Sequence, residues 1–275
     1  MSEPTPTLTP QTFWTEIRRS TEMRVHEARK HVPQSALEAA CQDMPEVMSL
    51  SAALRAATFR ERPAVIAEIK RASPSRGPIY LEADPASVAW HYVQSGATAI
   101  SVLTEPYWFG GSNAALDEVA RAVDVPVLRK DFMLHPYQIW EARALGADAV
   151  LLIAAFVGPM LAELVAIAHA AHMEALIEVH TAVERDAALE LGARLIGVNN
   201  RDLQTLQVDP STAERLIVRA RGHVTWVAES GYRTRADLAR AKRAGAHGVL
   251  IGEALMATNT PGQALADFLE AEPAP

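Results

Sequence analysis

Glu68 and Lys70 stand on alternate positions at the end of an apolar run in IAEIKRASPSRG, residues 66–77. Side chains two apart on a β-strand share a face, so the acid and the base point together while Ile69 and Arg71 point away. Both a structural ion pair and a proton-transfer pair fit that pattern. Other apolar runs end the same way. Lys130 closes PVLRKDF, Glu178 closes ALIEV ahead of His180, and Thr104 and Glu105 follow AISVL. Asn199 and Arg201 follow RLIGV, and Glu229 and Ser230 close VTWVAES. If these ends converge, two lysines and at least two glutamates share one mouth. Like charges would then push the lysine pKa values down and burial would push the glutamates up, which suits general acid–base chemistry near neutral pH.

A second chemistry is anion binding. Ser230 and Gly231 follow the seventh apolar run, and Gly252 and Glu253 follow the eighth. Two glycine turns at those places suit backbone N–H groups that cradle a phosphate, to which Ser73 can add a hydroxyl. Trp108, Phe109 and Phe132 offer apolar rings beside the charges and suggest a flat aromatic ligand. No metal is expected: the nine histidines, His91, His135, His169, His172 and His180 among them, form no HxH or HExxH arrangement. No nucleophile elbow is present either.

The elements that would carry these groups are marked by a recurring phrase: SGATAI at 95–100, LGADAV at 145–150, LGARLI at 191–196 and AGAHGV at 244–249. Each reads as a helix closed by glycine and followed by a buried strand. The runs AVIAEI, TAISVLT, PVLRK, ADAVLLI, EALIEV, RLIGVN, VTWVAES and HGVLIG alternate with amphipathic stretches. Thr181 with Glu184 and Ser211 with Glu214 have capping-box spacing, and Pro136, Pro159 and Pro210 suit first helical turns. The expectation is an α/β protein, a (β/α)8 TIM barrel with additional N-terminal helices, forming one domain over 1–275 with 1–62 as a helical extension packed on the barrel. Residues 12–30 read as a charged helix, and one added helix is expected near the mouth. An open doubly wound sheet would normally carry GxGxxG after its first strand, and RASPSRG at 71–77 is not that motif.

With 26 basic and 33 acidic residues the net charge is −7, which argues against nucleic acid as a partner. Cys41 is the only cysteine, so no internal disulfide can form. The longest apolar run, at 149–162, is interrupted by Gly158 and Pro159 and falls short of the ~20 residues of a spanning helix. No secretory signal opens the sequence. A cytoplasmic protein, free of membranes, is expected.

In these segments the chain resembles the indole-3-glycerol phosphate synthase family. The resemblance rests on IAEIKRASPSRG, SVLTEPYWFGGS, VLRKDF, QIWEARALGADAVLLI, ALIEVHT, IGVNNRDLQTL, VAESGY and VLIGEALM, in that order over residues 64–256. It implies conversion of 1-(2-carboxyphenylamino)-1-deoxyribulose 5-phosphate to indole-3-glycerol phosphate with loss of carbon dioxide and water, without a cofactor. By position in the matching motifs, Lys130 resembles the general acid of ring closure. Glu178 and Lys70 resemble the base and acid of the dehydration, Glu68 orients Lys70, and Asn199 and Ser230 complete the catalytic set. Ser73, Gly231, Gly252 and the Glu253 amide resemble a phosphate site. Phe109, Phe132 and Leu203 resemble the pocket of the anthranilate ring, with Arg201 placed for its carboxylate and Glu229 beside the substrate. The expected partner is a phosphorylated small molecule, and the expected assembly a monomer or weak homodimer.

The sequence departs from the family pattern in bulky Tyr107 and Trp108 before Phe109 and in His135, where an acidic residue is frequent. A Schiff-base aldolase or sugar-phosphate isomerase on the same barrel is the alternative, since a strand-end lysine also serves imine chemistry. The reaction itself rests on the motifs, because one fold hosts many activities.

Overall fold

A computed structural model of the chain describes residues 10–57, 63–202, 205–218 and 222–270. The eight apolar runs form eight strands: β1 (Ala64–Ile69), β2 (Ala99–Leu103), β3 (Val127–Lys130), β4 (Ala149–Ile153), β5 (Glu174–Val179), β6 (Leu195–Asn199), β7 (Thr225–Glu229) and β8 (Gly248–Ile251). Each pairs in parallel with its sequence neighbours, and β1 pairs with β8 from Ala64 opposite Gly248 to Ala67 opposite Ile251, closing a barrel. Nearly every strand residue is buried, because helices cover one face and the barrel interior fills the other.

Alternation along the strands sorts the apolar side chains into two cores. Val65, Ala67 and Ile69 of β1 pack outward with the helices, whereas Ala64 and Ile66 join Leu128, Leu151, Leu176, Val227 and Leu250 inside the barrel. Burying a Leu, Ile or Val stabilises by about 1.5–3 kcal/mol, so a one-residue register slip on any strand is costly. Glycine closes the helices in all four copies of the repeated phrase, with φ of 94° at Gly96, 86° at Gly146, 76° at Gly192 and 105° at Gly245.

Among the described residues three helices precede the barrel: α1 (Pro10–His31), α2 (Gln34–Gln42) and α3 (Leu50–Ala57). Leu50 and Leu54 of α3 join the interior core beside Ala64, plugging the end where the strands begin. Helix α1 lies at the opposite end, where Ile17 joins the interior core, Trp14 packs on Phe132 and Phe156, and Phe13 packs on Trp108. The helix expected near the mouth is therefore α1.

Two helix starts differ in detail from the capping-box expectation. Thr181 does accept the Glu184 N–H at 3.2 Å, but the Glu184 carboxylate turns to the backbone N–H of His180 at 2.7 Å instead of reciprocating. The helix Ser211–Leu216 begins one residue early, with Pro210 at its N-cap, because Ser211 Oγ is engaged by Asp209 Oδ1 at 2.7 Å. The unusual His135 is itself a cap: its Nδ1 accepts the Tyr137 N–H at 3.0 Å, while Gln138 Oε1 accepts the His135 N–H. Burial and nearby Arg29 hold its pKa below the ordinary value, which keeps the accepting lone pair available. Among the described residues no helix is long and apolar enough to cross a membrane.

Candidate active site

At the C-terminal ends of the strands the inward alternation turns from apolar to charged. Ala64 and Ile66 lead to Glu68, Leu128 to Lys130, Leu176 to Glu178, and Val227 to Glu229. All three glutamates are buried. Lys130 Nζ stands 3.2 Å from Glu68 Oε2 and 3.1 Å from Glu229 Oε2, and Lys70 Nζ is 2.7 Å from Glu68 Oε1. Glu68 is thus shared by both lysines.

Two glycines make room for these acids. A Cβ on Gly252 would lie 2.3 Å from Glu68 Oε1, and a Cβ on Gly197 would lie 2.2 Å from Glu229 Oε1. Each glycine sits beside a strand whose buried carboxylate leans into the vacated volume.

Burial works against the Glu68 charge, but Lys130 and Lys70 outweigh it and hold the carboxyl down at about 2. Burial pushes Glu229 up to about 7, helped by the charges of Glu178 and Glu68 and opposed by Lys130. Lys130 departs from the sequence expectation. Burial lowers its pKa, yet Glu68, Glu229 and Glu178 reverse the effect and hold the ammonium above its ordinary value. Three carboxyl groups around one lysine outweigh desolvation. Glu178 is held below the usual carboxylate range: burial raises it, and His180, Lys130 and Asn199 more than compensate. Asn199 Nδ2 donates to Glu178 Oε1 at 3.1 Å, and its own Oδ1 accepts the Arg201 N–H at 2.9 Å, which fixes the orientation of the amide.

One wall of the mouth is aromatic. The rings of Phe109 and Phe132 are 6.1 Å apart, Trp14 is 6.0 Å from Phe132, and all three line a cavity with Leu151 and Ile153. Two buried carboxylates shape this wall. Glu105 accepts the backbone N–H groups of Tyr107, Trp108 and Phe109 at 3.0, 2.7 and 3.1 Å, folding the bulky pair so that Tyr107 turns outward and Phe109 inward. Asp131 accepts both terminal nitrogens of Arg24 from α1 at 3.0 and 2.8 Å, Thr104 Oγ1 at 2.6 Å and the Phe132 N–H at 2.8 Å. Helix α1 is thereby pinned to the backbone between Lys130 and Phe132.

The opposite side is polar. Residues 230–233 and 252–254 enclose a pocket that Lys70 and Arg201 also line. Ser230 has φ 66° and Gly231 φ 85°; for serine this left-handed backbone costs on the order of 1 kcal/mol. Asn200 holds the turn, donating from Nδ2 to Ser230 O at 3.0 Å and to Tyr232 Oη at 3.1 Å while its Oδ1 accepts the Ala213 N–H. The Glu253 carboxylate draws in Arg76 at 3.3 Å, Arg233 at 3.7 Å and Arg201 at 4.0 Å. Three guanidinium groups against one carboxylate leave an anion-receptive rim.

Most residues singled out in the sequence line the shared cavity, among them Ser73, whose Oγ is 3.4 Å from Ser75 Oγ. Gly231 and Gly252 line only the polar pocket. Glu229 lines neither space and lies beneath Lys130. Arg201 lines both spaces, donating to the Leu206 carbonyl at 2.9 Å and standing 4.0 Å from Glu253. Leu203 lies outside the described residues; Leu206 is among those that line the cavity. Sequence reasoning missed Phe13, Trp14, Arg24, Asn200, Arg233 and Gly197. Only Gly197 carried a usable signal, as an inward-facing glycine two positions before Asn199.

The fold and the mouth define a (β/α)8 acid–base enzyme, with lysines and carboxylates between an aromatic wall and a cationic rim. The chain belongs to the indole-3-glycerol phosphate synthase family, whose model, described as "Indole-3-glycerol phosphate synthase", matches residues 15–268. It is 50% identical over 236 residues to the protein of that name from Mycolicibacterium gilvum (strain PYR-GCK), covering 86% of this chain and 85% of the relative. The protein of the same name from Carboxydothermus hydrogenoformans (strain ATCC BAA-161 / DSM 6008 / Z-2901) is 48% identical over 221 residues, 79% of this chain and 83% of the relative. More distant solved structures share the fold alone. A mandelate oxidase mutant aligns with TM-score 0.58 at 17% identity over 86% of this chain and 90% of its own. A thiamine phosphate pyrophosphorylase from Pyrococcus furiosus aligns with TM-score 0.56 at 17% identity, over 75% and 94%.

Proposed function

We infer that this barrel converts 1-(2-carboxyphenylamino)-1-deoxyribulose 5-phosphate to indole-3-glycerol phosphate in tryptophan biosynthesis, releasing carbon dioxide and water. The observation that carries the reading is the position of Lys130, an ammonium held between Glu68 and Glu229 in a cavity it shares with Phe109 and Phe132. Ring closure brings an aromatic carbon onto the ribulose carbonyl. Lys130 gives its proton to the carbonyl oxygen as the new carbon–carbon bond forms, and carbon dioxide leaves from the ring carbon that made the bond. Loss of the resulting hydroxyl as water needs an acid and a base. Lys70, oriented by Glu68 at 2.7 Å, supplies the first, and Glu178, anionic and fixed by Asn199, supplies the second.

Phe109 and Phe132 take the aryl ring. The turns at Ser230, Gly231, Gly252 and Glu253 take the phosphate with Ser73, and Arg201 serves the substrate carboxylate. The aldolase alternative is disfavoured by the charge on Lys130, since imine formation needs a neutral amine. The chain is taken as one domain with 1–62 as its helical extension, acting in the cytoplasm as a monomer or weak homodimer; sedimentation of the purified protein tests the assembly.

Lys130→Met keeps the length of the side chain and removes the ammonium. Indole-3-glycerol phosphate formation, followed by its fluorescence, is expected to fall by about 10²–10⁴-fold with cooperative unfolding retained. Turnover near that of the unmodified protein would refute the role given to Lys130.

A further inference from the structure

His180 follows β5, and its imidazole is wedged between two carboxylates. Nε2 stands 3.2 Å from Glu178 Oε1 and Nδ1 stands 3.6 Å from Glu184 Oε2, with the His180 side chain only 10% exposed. His180 lines neither the aromatic nor the polar side of the mouth. Glu184 lies farther out, on helix Ala182–Glu190, and its carboxylate is anchored by the His180 backbone N–H at 2.7 Å.

The other groups that act on Glu178 are Asn199 on β6, at 3.1 Å, and the Lys130 charge from β3; Glu229 on β7 feels Glu178 as a like charge. Strand β4 and the short helix Ala154–Val157, which pack on β5, bring only apolar side chains.

Both ring nitrogens of His180 thus lie within ion-pair distance of a carboxylate, and neither makes a hydrogen bond. Only the imidazolium gains from both carboxylates; a neutral ring would set two anions against an uncharged neighbour. Burial opposes the charge and the two carboxylates outweigh it, pushing the imidazole up to about 10.

We propose that His180, buttressed by Glu184, is a positioning residue that keeps Glu178 ionised and fixed in the mouth across the neutral range. The base of the dehydration is then set by a cation that the substrate does not meet. This rests on the reading of Glu178 as that base.

Two measurements on the full-length protein test the proposal. In the first, the His180 ring resonance, assigned by its loss in His180→Asn, is followed by NMR through a pH titration. The ring should stay protonated past about pH 9 in the parent, and its midpoint should fall by about one pH unit or more in Glu184→Gln. A ring that is neutral at pH 7 in the parent overturns the proposal, as does a midpoint unmoved in Glu184→Gln.

The second is the pH profile of kcat. Without the imidazolium the Glu178 pKa rises, so the acid limb in His180→Asn should move up by about one unit, with KM changed less than about threefold. Glu184→Gln should move the limb the same way by less, which keeps the test available if His180→Asn folds poorly. An unmoved acid limb overturns the relay. Glu178→Gln separates the two levels: its inactivity with an unmoved limb in His180→Asn sinks the relay alone, whereas turnover in Glu178→Gln sinks the reading of Glu178 on which the relay stands.

Discussion

Gly197→Ala adds one methyl group to the inward face of β6, in a backbone that alanine adopts freely. The new Cβ would stand 2.2 Å from Glu229 Oε1, 3.3 Å from Glu229 Cδ and 3.4 Å from Leu176 Cδ1. Ordinary contact is roughly 3.5 Å, so the carboxylate oxygen must retreat by about 1 Å. It has little room to do so, because Glu229 is fully buried and its Oε2 is engaged 3.1 Å from Lys130. Overpacking of this kind costs about 1–3 kcal/mol of stability. The retreat also withdraws one of the two carboxylates that hold Lys130. If about 1.4–2.7 kcal/mol of that loss falls on the transition state, kcat drops by about 10–100-fold.

Urea unfolding reads the first quantity and the fluorescence assay the second. Gly222→Ala is the control, since a Cβ there meets nothing within 4 Å, and it should stay within about 0.5 kcal/mol of the parent. Gly197→Ala with stability and kcat both within that range would show that Glu229 does not need the volume, and that the placement of Lys130 does not depend on it.

Two further expectations follow from buried charge. Arg24→Ala removes the two-pronged contact with Asp131, whose side chain has no exposure and whose Thr104 and Phe132 partners remain; a loss of about 2–3 kcal/mol in urea unfolding is expected, with KM raised as α1 loosens over the aromatic wall, and an unchanged KM would separate α1 from substrate binding. Stability should also depend on pH through the mouth. Glu68, held at about 2, contributes stability that is present above the unfolded pKa near 4.5 and is lost as the pH falls toward 2. Glu229, raised to about 7, has the opposite sign: between pH 4.5 and 7 the unfolded chain releases its proton first, so stability declines as the pH rises through that window. Glu229→Gln should flatten that decline in urea titrations taken at successive pH values, and an unchanged slope would contradict the shift.

Much of the barrel was legible because a strand buried on both faces must be apolar throughout. Charges at such a strand's end then stand out, as Glu68 and Lys70 do in IAEIKRASPSRG. The pairing of their side chains follows from strand geometry alone, and the structure brings them to 2.7 Å. The Lys130 shift was not legible. Its sign depends on how many acids converge on one ammonium, and only closure of the barrel brings Glu68, Glu178 and Glu229 around it. The Arg24 and Asp131 contact joins residues 107 positions apart through a helix outside the barrel, so no local pattern encodes it. Ser211 failed as a cap for a local reason: Asp209, two residues earlier, accepts its hydroxyl first.

The arrangement of acids and glycines explains how so much charge is tolerated in a barrel interior. Glu229 on β7 leans over Gly197 on the adjacent β6, and Glu68 on β1 leans over Gly252 at the end of the adjacent β8. From those two sides their carboxylates meet Lys130, while Lys70 and His180 take up Glu68 and Glu178. Three carboxyl groups face three cationic groups, so the interior is close to neutral. An interior so balanced cannot also hold a dianionic phosphate by charge. That task falls to the polar side, where Arg76 and Arg233 outnumber Glu253. Proton transfer and phosphate binding are thus separated in space, and rim arginine substitutions should raise KM while leaving the acid limb of kcat, set by the buried groups, in place.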